Sequence, residues 1–120
     1  MSALPRVLIV DASRESRDVL RVLLERSGAT TLEADRPEQA IQLASRFRPD
    51  LIVLDAESDQ SPDGEPTTEL REAADRTDTP IVILGRLRQP HGPFPHGQIV
   101  AKPYHYGPLI RKIDSLLAAA

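Results

Sequence analysis

Three short stretches of the sequence are apolar at every position: residues 7–10, 51–54 and 81–84. A strand with one face in water alternates apolar and polar residues, whereas a continuous apolar run fits a strand covered on both faces. Such strands occur in parallel sheets that lie between two layers of helices. Weaker strand signals over residues 30–33 and 98–101 bring the predicted total to five.

Stretches with helical spacing of apolar residues lie between and after these strands. We predict four helices, over residues 13–27, 37–47, 65–76 and 108–118. Ser13 is suited to cap the first helix and Gly28 to end it, while Pro37 is suited to a first-turn position. Strands that alternate with helices predict an α/β fold with a parallel sheet and right-handed crossovers.

The alternation breaks between the fourth and fifth predicted strands, where residues 85–97 read GRLRQPHGPFPHG. Pro90, Pro93 and Pro95 each remove a backbone donor and disfavour helix at the preceding residue. We therefore predict that the helix expected here is missing or reduced to a loop.

Length and composition exclude several classes of protein. A chain of 120 residues predicts one domain, over residues 1–120. The net charge of -3 and the four aromatic residues argue against a nucleic-acid partner. Cysteine is absent, which excludes disulfides and thiolate chemistry. No apolar run is long enough for a membrane span, so we expect a cytoplasmic protein with no membrane partner.

Three polar residues follow predicted strands directly: Asp11, Asp55 and Lys102. In open parallel sheets, ligands bind outside the carboxyl ends of the strands. Two carboxylates and an ammonium that converge there suit a divalent cation together with a phosphoryl group. Each residue alone is also compatible with an ordinary polar surface position.

Several short motifs occur in a characteristic order: VLIVD at 7–11, DLIVLD at 50–55, Asp63-Gly64, TPIVIL at 79–84 and Lys102-Pro103. Together they resemble the receiver domain of two-component response regulators, and the resemblance covers essentially the whole chain. It implies a flavodoxin-like receiver fold, with a five-stranded parallel sheet in the order 2-1-3-4-5 and helices on both faces.

The resemblance also assigns roles to individual residues. Asp55 matches the phosphoacceptor aspartate, and Asp11 matches the first of two adjacent acids that hold Mg²⁺. Lys102 matches the lysine that contacts the phosphoryl group. The Lys102-Pro103 peptide bond would be cis, which is accessible because the second residue is proline.

The metal site departs from the family pattern. Ala12 stands where the family has its second acid, which is normally a direct metal ligand. A loss of about 1.4 kcal/mol would weaken metal binding tenfold, so we expect weak Mg²⁺ binding. Glu57 lies where the family offers a backbone carbonyl to the metal, and either that carbonyl or its carboxylate is a candidate ligand beside Asp11 and Asp55. An ordinary solvated loop glutamate is the alternative interpretation.

The family's switch positions are altered as well. Gly85 replaces the Thr or Ser whose hydroxyl bonds the aspartyl phosphate, and Ile99 replaces an aromatic residue of the fifth strand. The proline-rich segment falls where the family has its fourth helix, on the usual output and dimerisation face. We therefore expect that face to be rebuilt.

These observations lead to one function and two alternatives. We predict a stand-alone, atypical receiver without an output domain, which is not an enzyme and signals through protein partners with impaired phosphorylation. The partner would be a histidine kinase, a phosphotransfer protein or a downstream effector, and a homodimer stays open. One alternative is a working receiver phosphorylated on Asp55 by a histidine kinase. The other is a small flavodoxin-like ligand-binding domain, although no Gly-rich loop follows the first strand.

Overall fold

Five strands form one parallel sheet within the described part of the chain, residues 4–85 and 97–119 of a computed structural model. In chain order they are β1 (Arg6–Val10), β2 (Thr30–Ala34), β3 (Leu51–Asp55), β4 (Ile81–Leu84) and β5 (Gly97–Val100). The strand order is β2-β1-β3-β4-β5, and every neighbouring pair is parallel. The predicted sheet and its order are confirmed.

Four helices lie in the same described ranges: α1 (Arg14–Arg26), α2 (Pro37–Phe47), α3 (Glu65–Arg76) and α4 (Tyr106–Ala118). A single 3-10 turn over Ala56–Ser58 follows β3 directly. Each of these helices is too short or too polar to span a bilayer. The prediction of a loop in place of a further helix concerns residues 86–96, which lie outside the described residues.

Helix ends follow the capping signals in the sequence. The Ser13 hydroxyl accepts a hydrogen bond from the backbone N–H of Ser16, and Gly28 adopts a φ of 99° just beyond α1. The predicted last helix begins two residues early, at Tyr106, and so includes Pro108 in its first turn. A proline is tolerated there because the first N–H groups of a helix have no partner inside it.

The sheet has a hydrophobic core on each face, which explains the continuous apolar runs. Val7 and Ile9 of β1 face α1 and α4, whereas Leu8 and Val10 face α2 and α3. β3 and β4 alternate between the two cores in the same way. Because both faces of these strands are covered, residues 7–10, 51–54 and 81–84 are buried at every position.

The strand order brings polar strand ends together. β1, β3, β4 and β5 are consecutive neighbours, and parallel strands end at the same edge of a sheet. Asp11, Asp55, Gly85 and Lys102 lie at or just beyond their carboxyl ends. This carboxyl edge therefore assembles residues that lie up to 91 positions apart in the sequence.

Candidate functional site

Asp55 and Lys102 form the centre of the site. Asp55 ends β3 and is 8% exposed. Its Oδ2 accepts a hydrogen bond from Lys102 Nζ at 2.9 Å, and its Oδ1 accepts one from the backbone N–H of Glu57 at 2.9 Å. Lys102 reaches this position from the loop after β5, where a cis peptide bond joins it to Pro103. Both oxygens of the Asp55 carboxylate are therefore engaged.

Asp11 lies beside them with half of its carboxylate unpaired. Its backbone N–H donates to the Ala34 carbonyl at 3.0 Å, and its Oδ1 accepts from the Ser13 N–H at 2.8 Å. The guanidinium of Arg17 donates to the Asp11 carbonyl at 2.6 Å and so fixes this end of β1. Asp11 Oδ2 is buried and has no hydrogen-bond partner among the described residues.

The charges at the carboxyl edge shift one another's pKa values. Burial raises the pKa of Asp11, and the nearby charge of Asp55 adds to this, while the bond from Ser13 and the charge of Lys102 oppose it. Burial lowers the pKa of Lys102, but Asp55 and Glu57 outweigh it and keep that pKa above its ordinary value. Lys102 is therefore held in its charged form beside the carboxylates of Asp55 and Glu57.

Glu57 contacts the same lysine. It belongs to the 3-10 turn after β3, and its Oε2 is 3.4 Å from Lys102 Nζ. The sequence presented Glu57 as a candidate metal ligand through its carbonyl or carboxylate. In the structure its carboxylate shares the ammonium of Lys102 with Asp55, and its role toward a metal stays a prediction.

The residues present fit a divalent cation with a reduced set of ligands. Asp11 Oδ2 is a buried anionic oxygen without a partner in the described ranges, which is the kind of atom that a cation or a proton satisfies. Mg²⁺ takes one or two carboxylates in typical sites, and Asp11 and Asp55 supply two. Ala12 adds none, and residues 4–85 and 97–119 contain no group of three or more candidate ligand side chains.

The two switch positions carry small or aliphatic residues. Gly85 follows β4 with a φ of 142°, and its N–H donates to the Val100 carbonyl at 3.0 Å. A Cβ built on Gly85 would lie 3.2 Å from the Cβ of Ala56, tighter than ordinary contact. Ile99 packs against the core on the α2 and α3 face. A hydroxyl at position 85 would therefore require the backbone to change.

Two groups near the site were not predicted from the sequence. Tyr104 packs edge-to-face on Tyr106 with ring centroids 5.6 Å apart. Burial raises the pKa of Tyr104 to about 12, with smaller contributions from Tyr106, Asp11 and Asp55, so its hydroxyl stays neutral. The sequence feature that could have indicated Tyr104 is its position directly after the Lys102-Pro103 pair.

Asp59 is the second unpredicted group, and it organises the loop between β3 and α3. One of its oxygens accepts from the N–H and hydroxyl of Ser61, and the other from the N–H and hydroxyl of Thr67. Burial raises the pKa of Asp59, but these four hydrogen bonds outweigh it and hold the pKa below its ordinary value. The spacing of Asp, Ser and Thr in this loop is the sequence feature that could have indicated the hydrogen bonds to Asp59.

Comparison with known proteins agrees with this arrangement. Residues 7–91 match the model of the response regulator receiver domain. The transcriptional regulatory protein YdfI of Bacillus subtilis is 31% identical over 88 residues, 72% of this chain and 40% of that protein. A protein-glutamate methylesterase/protein-glutamine glutaminase of Methanospirillum hungatei is 36% identical over 84 residues, 68% of this chain and 23% of that protein. The chain thus spans less than half the length of these relatives.

Solved structures show the same fold at lower sequence identity. A response regulator receiver protein from Sinorhizobium medicae superposes with a TM-score of 0.79 at 23% identity, covering 97% of this chain and 96% of that one. Chemotaxis protein CheY4 of Vibrio cholerae gives 0.75 at 23% identity, covering 95% and 99%. The family match spans more than half of the chain, and the fold and the polar carboxyl edge agree with it: the chain belongs to the response regulator receiver domain family of two-component signalling.

Proposed function

We propose that this receiver is a protein–protein signalling module whose output depends little on Mg²⁺-dependent phosphorylation of Asp55. The observation that carries the proposal is the contact between Lys102 Nζ and Asp55 Oδ2 at 2.9 Å. The candidate metal ligands beside it are Asp11, Asp55 and Glu57, without a second adjacent acid at position 12. Carboxylates that crowd one another need a cation or a raised pKa. Lys102 supplies that cation from within the chain.

The loss of the second acid at Ala12 supports weak metal binding. An acidic side chain there would add one negative charge next to the cation, and each 1.4 kcal/mol of lost binding energy weakens affinity about tenfold. Gly85 and Ile99 support a small conformational response to phosphorylation. Gly85 has no hydroxyl that could bond a phosphoryl group, and Ile99 has no aromatic ring that could change position with it. The partner we propose is a histidine kinase, a phosphotransfer protein or a downstream effector.

A working phosphoacceptor is the second candidate function, and one observation favours it. Asp11 Oδ2 is buried without a partner in the described ranges, in the position that a cation would satisfy. Asp11 and Asp55 would hold Mg²⁺, which when bound would neutralise part of the charge of a phosphoryl group. Asp55 would accept that group, and Lys102 would contact it.

Labelling with a small phosphodonor separates the two candidates. The protein is incubated with phosphoramidate and Mg²⁺, and intact mass spectrometry follows the addition of one phosphate, with Asp55→Asn as the control. We expect slow, incomplete labelling and little change on adding Mg²⁺. Rapid, complete and Mg²⁺-dependent labelling of Asp55 would contradict the proposal and favour the working phosphoacceptor.

A further inference from the structure

We propose that the carboxylate of Glu57 restrains phosphorylation of Asp55 by competing with the incoming phosphoryl group for Lys102. This inference rests on the site described under the proposed function and concerns its regulation. It assigns the carboxylate of Glu57 a positioning role that acts through Lys102, and the backbone carbonyl of Glu57 stays a candidate metal ligand.

The geometry of the lysine carries the inference. Lys102 Nζ lies 2.9 Å from Asp55 Oδ2 and 3.4 Å from Glu57 Oε2, so one ammonium serves two carboxylates. The side chain of Asp55 is 10% exposed and that of Lys102 is 24% exposed, whereas that of Glu57 is 64% exposed. Glu57 is therefore the solvent-exposed one of the two carboxylates that share the ammonium of Lys102.

Local hydrogen bonds hold Glu57 in this place. Its backbone N–H donates to Asp55 Oδ1, and the Ser58 hydroxyl donates to the Asp55 carbonyl at 2.6 Å. Further along the loop, the four hydrogen bonds to Asp59 tie Ser61 and Thr67 together. The backbone of the turn that bears Glu57 is thus anchored, within a distance at which its carboxylate contacts Lys102.

The reaction adds charge beside Glu57. With phosphoramidate as donor, an Asp55 carboxylate oxygen forms a bond to phosphorus, the P–N bond breaks, and the nitrogen leaves with its three protons as ammonia. The aspartyl phosphate formed carries two negative charges where the carboxylate carried one. Lys102 is the cation that would compensate the added charge, and Glu57 both occupies it and repels the product.

The restraint should be moderate and sensitive to salt. Glu57 is largely exposed, so water and ions screen its charge, and its removal should speed labelling roughly threefold to tenfold at low ionic strength. Because screening shortens the reach of an exposed charge, the acceleration should shrink as salt is added. A merely structural effect of the substitution would not follow ionic strength in this way.

The experiment compares labelling rates of Asp55 by phosphoramidate in wild type, Glu57→Gln and Glu65→Gln, measured by intact mass at low and high salt. Glu65 is an exposed acid in the first turn of α3, so its substitution changes the net charge equally while leaving the Lys102 contacts in place. Glu57→Asp, which keeps the charge, serves as the conservative variant. Circular dichroism establishes that each variant is folded.

The inference predicts that Glu57→Gln is labelled faster than wild type and that Glu65→Gln is labelled at about the rate of wild type. The rate for Glu57→Asp should lie between those of wild type and Glu57→Gln. The difference in rate between Glu57→Gln and wild type should disappear at high salt. Equal behaviour of Glu57→Gln and wild type, including no labelling of either, would overturn the inference. If neither wild type nor Glu57→Gln were labelled, the proposed function would still stand. Rapid, complete and equal labelling of both would overturn the inference and the proposed function together.

Discussion

Lys102 and Asp55 are joined by a hydrogen bond of 2.9 Å between residues 47 positions apart in the sequence. The contact links the loop after β5 to the end of β3 and places a positive charge at the carboxyl edge of the sheet. Both side chains are mostly buried, so solvent screens the pair less than it screens a surface ion pair. The stability of this edge and its response to metal should both depend on the lysine.

Lys102→Met tests that dependence, because it keeps the length of the side chain and removes its charge. Two neighbouring carboxylates would then lack their cation, and we expect a loss of about 1–3 kcal/mol in the free energy of unfolding. Millimolar Mg²⁺ should restore part of this loss, since a ligand that binds the native state raises its stability. Urea unfolding with and without Mg²⁺ measures both effects, and a variant indifferent to Mg²⁺ would argue against the pairing.

Asp11→Asn tests the unpaired oxygen. The substitution retains an oxygen that can accept from the Ser13 N–H and removes the charge of a buried carboxylate. In the absence of metal we expect a rise of about 1 kcal/mol in the free energy of unfolding at pH 7, because a buried charge without a partner is costly. The melting temperature of this variant should no longer respond to Mg²⁺. A response equal to that of wild type would exclude Asp11 as a ligand.

Ala12→Asp should strengthen metal binding. Position 12 is exposed beside Asp11, so a carboxylate there can be accommodated without repacking the core. We expect Mg²⁺ affinity to rise about tenfold, which corresponds to about 1.4 kcal/mol. Ala12→Asn, of equal size and no charge, is the control. Calorimetric titration with Mg²⁺ gives the affinities, and equal values for the two variants would contradict the role assigned to this position.

Gly85→Ala should be more damaging than Gly28→Ala. Both glycines have positive φ, at 142° and 99°, so both substitutions strain the backbone by about 1–3 kcal/mol. Only at Gly85 does the added Cβ also meet another atom, the Ala56 Cβ at 3.2 Å, whereas Gly28 faces open space. Adding Ala56→Gly to Gly85→Ala removes the atom that the new Cβ meets. The double variant should therefore be about as stable as Gly28→Ala. Thermal unfolding of the four proteins measures their stabilities.

Asp59→Asn should reduce stability in a pH-dependent way. The native pKa of Asp59 lies below its ordinary value of 3.8, because its four hydrogen bonds favour the charged form. Its stabilisation, about 1 kcal/mol, is therefore complete above pH 3.8 and is lost as the pH falls through the lower native pKa. The difference in unfolding free energy between wild type and variant should shrink in that range. Glu69→Gln, an exposed acid of α3 outside this network, should show no such trend.

The apolar runs in the sequence predicted a parallel sheet, and the resemblance to the receiver family supplied the strand order. Runs such as residues 7–10 and 51–54 are apolar throughout, and only a sheet covered on both faces buries every position in them. The capping signals of Ser13, Gly28 and Pro37 are local, so they also placed the helix ends well. Asp11, Asp55 and Lys102 were predictable as a group because each directly follows a strand, and parallel strands end at the same edge.

Which of those side chains contact one another depends on the folded arrangement of the loops. The sequence indicated Glu57 as a metal-ligand candidate and gave no sign that the 3-10 turn after β3 brings its carboxylate to Lys102. The four bonds to Asp59 and the close approach of Gly85 to Ala56 likewise depend on how the loops of the carboxyl edge meet. Such contacts join separate loops whose paths no local pattern encodes. Strand periodicity sets which residues reach the edge, and packing there sets which of them pair.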